Sequence, residues 1–293
     1  MKVTEMWKKS TKPTVSFELY PPRTLKAGEK LEKTIDILAA LKPDFASVTF
    51  GAGGSTREGS YQLLENLKVK KGLDVVSYFA GYGLGPEDIT SVLDSYQDLG
   101  IENILVVRGD IPHDLEGFTP HPESFVHASS LLEFVRPKYD FCMGVAAYPE
   151  GHIEAESNEK DLEYLKLKVD LGADYIITNY SFDNNYFFDF VERCHEKGIT
   201  LPIIPGVMPI YSAKMMENLA KLCGATITEE IQQGLANLPE GDKGAVLDFG
   251  IEFAYRQCKG LLDAGVPGVH IYTMDRSKTV STIVTRLRNE GYL

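Results

Sequence analysis

Residues 75–107 read VVSYFAGYGLGPEDITSVLDSYQDLGIENILVV. Two apolar runs, Val75–Ala80 and Asn103–Val107, flank a stretch with helical periodicity. That stretch, Pro86–Leu99, has a proline in its first turn and Gly100 just past its end. The apolar runs are continuous rather than alternating, which is typical of strands buried on both faces. The segment therefore predicts one strand–helix–strand unit of a parallel α/β fold.

Runs of the same kind recur along the chain at intervals of roughly thirty residues. The eight runs are Val15–Tyr20, Phe45–Phe50, Val75–Ala80, Asn103–Val107, Phe141–Tyr148, Tyr175–Tyr180, Pro202–Val207 and Gly268–Met274. Eight strand–helix units predict an α/β fold of the (β/α)8 TIM barrel type. In such a barrel the chemistry lies at the carboxyl ends of the strands.

The connecting segments carry helical patterns, and the segment between the last two strands is the longest. It predicts extra helices between strands seven and eight, at Ala213–Cys223, Thr228–Leu235 and Ala245–Ala264. Asn158–Leu171 and Lys278–Asn289 are two other predicted helices. Since no linker or low-complexity tract interrupts the pattern, we expect a single barrel domain over residues 1–293.

The composition is that of an ordinary globular protein, with 43% hydrophobic and 25% charged residues. A net charge of −12 gives no general attraction to nucleic acid or to an anionic membrane surface. The amino terminus lacks an apolar signal segment, so we expect a cytoplasmic protein that does not enter a membrane. The four cysteines are widely spaced and predict free thiols, and the six histidines show no metal-binding spacing, so no metal site is predicted.

Polar residues lie at the carboxyl ends of the predicted strands. Glu18 stands within an apolar and aromatic run, so burial should raise the pKa of its carboxyl and suit it to act as a general acid. A structural carboxylate that bridges two strands is the alternative. Asp110 is either an ion-paired loop residue beside Arg108 or a polar anchor for a heterocycle. Gly51–Gly54 allows the main chain to approach a planar or phosphorylated ligand closely.

Two kinds of chemistry are disfavoured by the same strand ends. No lysine lies at a strand end, which argues against a Schiff-base aldolase. No Ser–His–carboxylate arrangement presents itself either. One acid in an apolar wall, one anionic anchor and several aromatic side chains favour hydride or group transfer on a bound heterocycle over hydrolysis.

Seven short motifs occur in order along almost the whole chain. They are FELYPP (17–22), SVTFGAGGSTR (47–57), RGD (108–110), GVAAYPEGH (144–152), LKLKVDLGADYIIT (165–178), PIIPGVMPI (202–210) and HIYTMDR (270–276). Together they resemble the methylenetetrahydrofolate reductase family, flavoproteins that reduce 5,10-methylenetetrahydrofolate to 5-methyltetrahydrofolate. The resemblance implies a catalytic barrel with roles for individual residues.

Glu18 corresponds to the family's general acid, which protonates folate N10 as the five-membered ring opens. Asp110 corresponds to a carboxylate beside the flavin and the folate pterin. The flavin-binding positions correspond to Thr49, Phe50, Ala52, Tyr78, Arg108, Gly109, Asp110, His127, Ala128, Tyr148, His152, Asp161, Tyr164 and Lys168. Lys168 is the expected cation for the flavin phosphates. The substrate-binding positions correspond to Asp110, Asn179, Met215, Leu219 and Arg276, with the Arg276 fork expected at the folate glutamate carboxylates.

The implied reaction is ping-pong. NADH or NADPH delivers hydride to bound FAD and leaves, and the folate then takes the same place and receives the hydride. The expected partner is a folate-type small molecule, and a homo-oligomer is expected. An electron-transfer protein is the alternative to the nicotinamide cofactor as donor.

Several positions depart from the family pattern. Tyr78 replaces a histidine, Asn179 a glutamine and His127 a tyrosine. The other replacements are Leu219 for an aromatic residue, Met215 for a glutamine, and Tyr164 and Leu167 for polar and basic residues near the phosphate end of the flavin. Loss of an arginine-type contact at Leu167 should weaken a diphosphate more than a monophosphate. We therefore predict weak FAD binding, FMN in its place, or loss of flavin.

These substitutions leave two other functions open as alternatives to the reductase. One is a folate-binding subunit of a larger one-carbon or electron-transfer assembly. The other is a barrel methyltransferase or lyase that acts on a related substrate. Retention of both Glu18 and Asp110 favours the reductase, because a binding subunit has no need of the acid.

Overall fold

In the computed structural model, eight parallel strands close into a barrel in which each strand pairs with the next along the chain. The structure describes residues 1–22, 24–50, 54–109 and 118–293. The strands are β1 (Thr14–Leu19), β2 (Phe45–Val48), β3 (Val75–Ala80), β4 (Asn103–Val107), β5 (Cys142–Ala147), β6 (Tyr175–Tyr180), β7 (Ile203–Val207) and β8 (Gly268–Tyr272). The barrel closes because β8 pairs with β1. The predicted (β/α)8 TIM barrel is confirmed.

Helices surround the barrel. They are α1 (Val3–Lys9), α2 (Leu25–Ala40), α3 (Gly54–Glu65, followed by a π-helical turn at Asn66–Lys70), α4 (Pro86–Asp98), α5 (Ala128–Val135), α6 (Asn158–Asp170), α7 (Asn184–Glu196), α8 (Ala213–Cys223), α9 (Glu229–Ala236), α10 (Lys243–Asp263) and α11 (Ser277–Asn289). Helices α8, α9 and α10 confirm the extra helices predicted between strands seven and eight. Within the described part of the chain, no helix is both long enough and apolar enough to cross a membrane.

Two predicted strands were too long at their carboxyl ends. The predictions Phe45–Phe50 and Gly268–Met274 correspond to β2 and β8, which end at Val48 and Tyr272. After β8 the chain turns out of the barrel wall, because Met274 and the next residue adopt positive φ angles of 47° and 54°. The remaining predicted strand boundaries lie within one residue of the structure.

Helix α10 starts earlier than predicted. The predicted helix Ala245–Ala264 begins instead at Lys243, because the Asp242 carboxylate accepts hydrogen bonds from the main-chain N–H groups of Gly244 and Ala245. Such an aspartate satisfies N–H groups that the first turn of a helix leaves without partners.

Helix α1, which the sequence analysis missed, closes the amino-terminal end of the barrel. The Trp7 ring packs edge-on against Tyr175 and Phe45, with ring centres 5.5 and 6.3 Å away. The buried Asn103 side chain accepts a hydrogen bond from the Val3 N–H group at 2.8 Å. The helix has only seven residues, too few for a clear periodic pattern. In barrels of this type the opposite end, at the carboxyl ends of the strands, carries the functional site.

Candidate active site

The carboxyl group of Glu18 is buried inside the barrel near the end of β1. Only 3% of the residue is exposed. In the sheet, Glu18 pairs in register with Ser47 on β2 and with Tyr272 on β8. The Thr273 hydroxyl donates to the Glu18 main-chain oxygen at 2.6 Å. Both neighbouring strands therefore fix the main chain that carries this acid.

Two tyrosine hydroxyls hydrogen-bond to the Glu18 carboxyl group. The Tyr20 hydroxyl donates to Oε1 at 2.5 Å, and the Tyr78 hydroxyl, on β3, donates to the same carboxyl group. The sequence predicts no role for Tyr20, and the family resemblance implies a cofactor-binding role for Tyr78. The sequence signal that could have indicated their role is the presence of two tyrosines, one just after β1 and one on β3, in strands near the acid.

The pKa of Glu18 is raised from its ordinary value to about 7, chiefly because burial penalises the charged form. The hydrogen bonds from Tyr20 and Tyr78 oppose this by stabilising the carboxylate, and the charge of Asp275 adds to the rise. A carboxyl group that is close to half protonated at neutral pH can give a proton to a substrate and take one back.

Asp275 is a second carboxyl beside Glu18 that the sequence analysis did not single out. Burial raises its pKa, and it accepts a hydrogen bond from the Tyr20 main chain. Its Oδ1 atom is buried without a partner among the residues that the structure describes. Its φ angle of 54° is unusual for a residue with a side chain, and such strain often occurs at functional sites.

The Tyr272 side chain crosses the carboxyl end of the barrel from β8 to β6. Its hydroxyl donates to the Thr178 main-chain oxygen at 2.8 Å, and its own main-chain oxygen accepts a hydrogen bond from Tyr211 at 3.1 Å. The ring passes over Gly206 on β7, where a Cβ would lie 2.5 Å from Tyr272 Cε2 and 2.2 Å from the Thr178 oxygen. Glycine is needed at this crossing because no Cβ fits.

Gly206→Ala is expected to destabilise the protein by about 1–3 kcal/mol, the usual cost of overpacking, and to displace the Tyr272 ring. The measurement is the free energy of unfolding in urea. Gly28→Ala is the control, because its nearest neighbour is 3.8 Å away and it lies in α2, where alanine is favoured. Equal unfolding midpoints for Gly206→Ala and the wild-type protein would contradict the crossing.

A third group of predicted residues follows β5. The Tyr148 and His152 rings meet edge to face with their centres 4.6 Å apart. The Asp161 carboxylate accepts a hydrogen bond from the His152 main-chain N–H at 3.2 Å and so shapes this loop. Burial raises the pKa of the Tyr272 hydroxyl, and Tyr148 is near enough to add to this rise. The ends of β5 and β8 therefore lie close together at the opening at the carboxyl end of the barrel, which is its mouth.

Lys168 on α6 points back to the barrel. Its ammonium group donates to the Ala146 main-chain oxygen at 2.8 Å, and burial lowers its pKa to about 8. Tyr164 and Leu167 on the same helix are 49% and 46% exposed. Arg108 forms an ion pair with Glu154 at 2.6 Å.

The remaining predicted residues are more dispersed. Met215 and Leu219 pack against the apolar cluster over β6 and β7 that contains Tyr180 and Tyr211. Arg276 is exposed, with its guanidinium 5.9 Å from the centre of the Tyr211 ring. Asn179 is partly buried in β6, His127 precedes α5 as an exposed residue, and Ala128 is its first residue.

Three other predicted residues lie at the ends of β2 and β4. The Phe50 ring packs edge-on against the core residue Phe79, with ring centres 5.3 Å apart. The Thr49 main-chain N–H donates to the Leu19 oxygen at 3.2 Å. Gly109 has a φ angle of 88°. Asp110 and Ala52 lie outside the described residues.

The family profile and the similar known proteins point to the same family. The sequence profile of the family described as methylenetetrahydrofolate reductase matches residues 2–288. Methylenetetrahydrofolate reductase (NADH) 1 of Arabidopsis thaliana is 35% identical over 301 residues, which cover 98% of this chain and 51% of that protein. The 5,10-methylenetetrahydrofolate reductase of Escherichia coli is 34% identical over 264 residues, covering 90% and 87%. The chain thus spans about half the length of the plant relatives and most of the bacterial ones.

The similar solved structures support the fold of this chain but carry no argument about its function. A protein from Clostridium thermocellum, described as binding two copies of 5-methyl-5,6,7,8-tetrahydrofolic acid, superposes with a TM-score of 0.63. The match covers 99% of both chains at 16% sequence identity. An aldo-keto reductase from Klebsiella pneumoniae in complex with NADPH gives a TM-score of 0.55 at 11% identity, covering 96% of this chain and 87% of that one.

Proposed function

The chain belongs to the methylenetetrahydrofolate reductase family, and we propose that it reduces 5,10-methylenetetrahydrofolate to 5-methyltetrahydrofolate with a nicotinamide cofactor and a bound flavin. The observation that carries the proposal is the buried Glu18 carboxyl, whose pKa of about 7 suits a proton donor at neutral pH. A protein that only binds folate needs no such group.

Glu18 gives its proton to N10 of the folate. As the bond between N10 and the methylene carbon breaks, its electron pair stays on N10 and takes up this proton. The methylene group is then left as an iminium on N5, ready to accept hydride. Tyr20 and Tyr78 hold the carboxylate that remains, and its burial in the barrel limits the access of water.

The residues at the mouth fit a flavin better at its ring than at its phosphates. Tyr148 and His152 offer an aromatic edge-to-face pair with polar groups, and Lys168 is the nearby cation. Tyr164 and Leu167 would face the phosphate end, where they expose apolar surface instead of positive charge. A bound flavin would supply hydride transfer between the nicotinamide cofactor and the methylene carbon.

Residues around the opening at the carboxyl end of the barrel are proposed to recognise the substrate. Arg276 is exposed at the end of β8, and its guanidinium group suits the folate glutamate carboxylates. Asp110 is the proposed anchor for the pterin and the flavin. Asn179, Met215 and Leu219 are the other proposed substrate contacts. We propose a ping-pong order, in which the nicotinamide cofactor and the folate use the same place in turn.

The proposed function is tested by product formation. The purified protein is incubated without oxygen with FAD or FMN, NADH and 5,10-methylenetetrahydrofolate, and the folates are separated by chromatography. We expect 5-methyltetrahydrofolate in amounts equal to the NADH consumed. Folate that binds tightly but is recovered unchanged would overturn the reductase in favour of a folate-binding subunit.

The phosphate end of the flavin site provides a separate prediction. Leu167→Arg is expected to tighten FAD binding by about fivefold, the effect of one exposed ion pair, and to tighten FMN binding less. Flavin dissociation constants from fluorescence titration measure this. Val69→Arg, at a position that is 64% exposed on the turn after α3, is the control. Equal FAD dissociation constants for Leu167→Arg and the wild-type protein would contradict the prediction, as would stoichiometric, tightly held FAD released from the wild-type protein on denaturation.

A further inference from the structure

We propose that Tyr20 and Tyr78 are positioning residues, which hold the Glu18 carboxyl between two hydroxyl donors and set the pH at which this acid gives up its proton. The inference deepens the proposed function and rests on it for its catalytic meaning. Neither tyrosine is placed against the reacting atoms of the folate. Each is argued to act through Glu18.

The two donors reach the acid from different parts of the barrel. Tyr20 directly follows β1, two residues after Glu18, and its hydroxyl lies 2.5 Å from Glu18 Oε1. Tyr78 stands on β3, and its ring packs among the residues that fill the barrel interior. A carboxyl group that interacts with aromatic hydroxyls from two parts of the barrel is restricted in its orientation, which favours proton donation to a defined atom.

Both tyrosine hydroxyls are kept in the protonated form, in which they can donate to Glu18. The pKa values of both hydroxyls are raised, with burial as the largest cause and the Glu18 charge as the next, so both stay protonated and act as donors. A hydroxyl that donates to a carboxylate favours its charged form. The pair therefore offsets part of the burial that would otherwise keep Glu18 protonated at higher pH.

Other groups also face Glu18 within the described residues. Tyr272 on β8 is close enough for the Glu18 charge to raise the pKa of its hydroxyl, but it donates to Thr178 instead. From β2, Ser47 is a neighbour that does not titrate. Burial raises the pKa of Glu18, and among the described residues the like charge of Asp275, after β8, adds to the rise. The tyrosine pair and Asp275 thus act on the acid in opposite directions.

The test is a direct titration of Glu18 by carbon NMR. The protein as purified is labelled with carbon-13 at the glutamate carboxyl carbons, and the Glu18 signal is assigned by its absence in Glu18→Gln. Tyr20→Phe and Tyr78→Phe are each expected to raise the pKa of Glu18 by about one unit, the shift that one hydrogen bond to a charged group supplies. Asp275→Asn is expected to lower it.

Tyr96→Phe is the control, because it removes another tyrosine hydroxyl from the barrel, one that bonds to Ser77 rather than to Glu18. It should leave the titration unchanged. Tyr20 lies beyond the last residue of β1, so Tyr20→Phe remains informative if Tyr78→Phe fails to fold. Folded tyrosine variants whose Glu18 titrates as in the wild-type protein would overturn the inference.

The outcomes separate this inference from the proposed function. If the Glu18 titration shifts as expected but no 5-methyltetrahydrofolate forms, the proposed function fails and the hydrogen-bonding pair stands. If the product forms but the titration does not shift, only the pair fails. When both hold, the pH profile of folate reduction should move upward in the tyrosine variants by the same amount as the Glu18 titration.

Discussion

Glu18→Gln is expected to slow the reduction of 5,10-methylenetetrahydrofolate by about 10²–10⁴-fold, the usual contribution of a general acid. Glutamine keeps the size and the polar contacts of the side chain but has no proton to give to N10. Reduction of the flavin by NADH should be nearly unchanged, because hydride transfer from the nicotinamide needs no proton from this group. The loss should therefore fall on one half-reaction only.

Stopped-flow absorbance separates the two half-reactions. Glu150→Gln is the control, since Glu150 is another partly buried carboxyl at the end of a strand whose pKa is raised by burial. Its carboxylate accepts a hydrogen bond from the Thr226 N–H group, which is far from Glu18 in the sequence and outside its hydrogen-bonded cluster. Equal loss of both half-reactions in Glu18→Gln would contradict the assigned role, as would no loss in either.

His270 should make the fold sensitive to acid. This histidine is fully buried inside the barrel, with its ring nitrogens 2.7 Å from the Ser16 hydroxyl and 3.3 Å from the Ser47 hydroxyl. Burial lowers its pKa from 6.5 to about 3, so the folded protein keeps it neutral where the unfolded chain takes up a proton. Its contribution to stability is complete above about pH 6.5 and is lost as the pH falls toward 3.

The size of this effect follows from proton linkage. The full contribution is about 5 kcal/mol, and about 2 kcal/mol of it is lost between pH 6.5 and pH 5. His270→Gln, which keeps a polar side chain but removes the titrating ring, should flatten the pH dependence by these amounts. Glu18 acts in the opposite direction, because its raised pKa makes it lose stability as the pH rises toward 7, but it is present in both proteins and cancels.

The measurement is the free energy of unfolding in urea at pH 7, 6 and 5. The exposed His195 on α7 provides the control variant His195→Gln, which should follow the wild-type curve. Parallel pH curves for His270→Gln and the wild-type protein would show that the buried ring does not resist protonation as described.

Much of the barrel could be predicted because its strands are buried on both faces. Runs such as Val75–Ala80 and Asn103–Val107 carry that burial in their composition, and the structure has the same boundaries for both. The end of β8 could not be predicted, because the backbone of Met274 and Asp275 turns at positive φ while the apolar pattern continues. Helix α1 is held by contacts across the barrel rather than by its own periodicity.

The candidate site was predictable only in part, for a similar reason. Glu18 stands out because a lone carboxyl within an apolar run must be buried when the strand forms. Its surroundings are set by β8, which pairs with β1 when the barrel closes, and by Tyr78 on β3, two strands away. The roles of Tyr78 and Asp275 beside Glu18 therefore depend on contacts between residues far apart in the sequence, which no local pattern contains.

The central claim is that this barrel passes hydride to a folate through a bound flavin, with Glu18 as the proton donor. The most direct test is the visible absorption spectrum of the purified protein, taken without oxygen before and after addition of NADH and then of 5,10-methylenetetrahydrofolate. Once FAD or FMN has been supplied to the protein, we expect a flavin spectrum that bleaches with NADH and returns with the folate. A colourless protein that stays inert after FAD or FMN is added would contradict the claim.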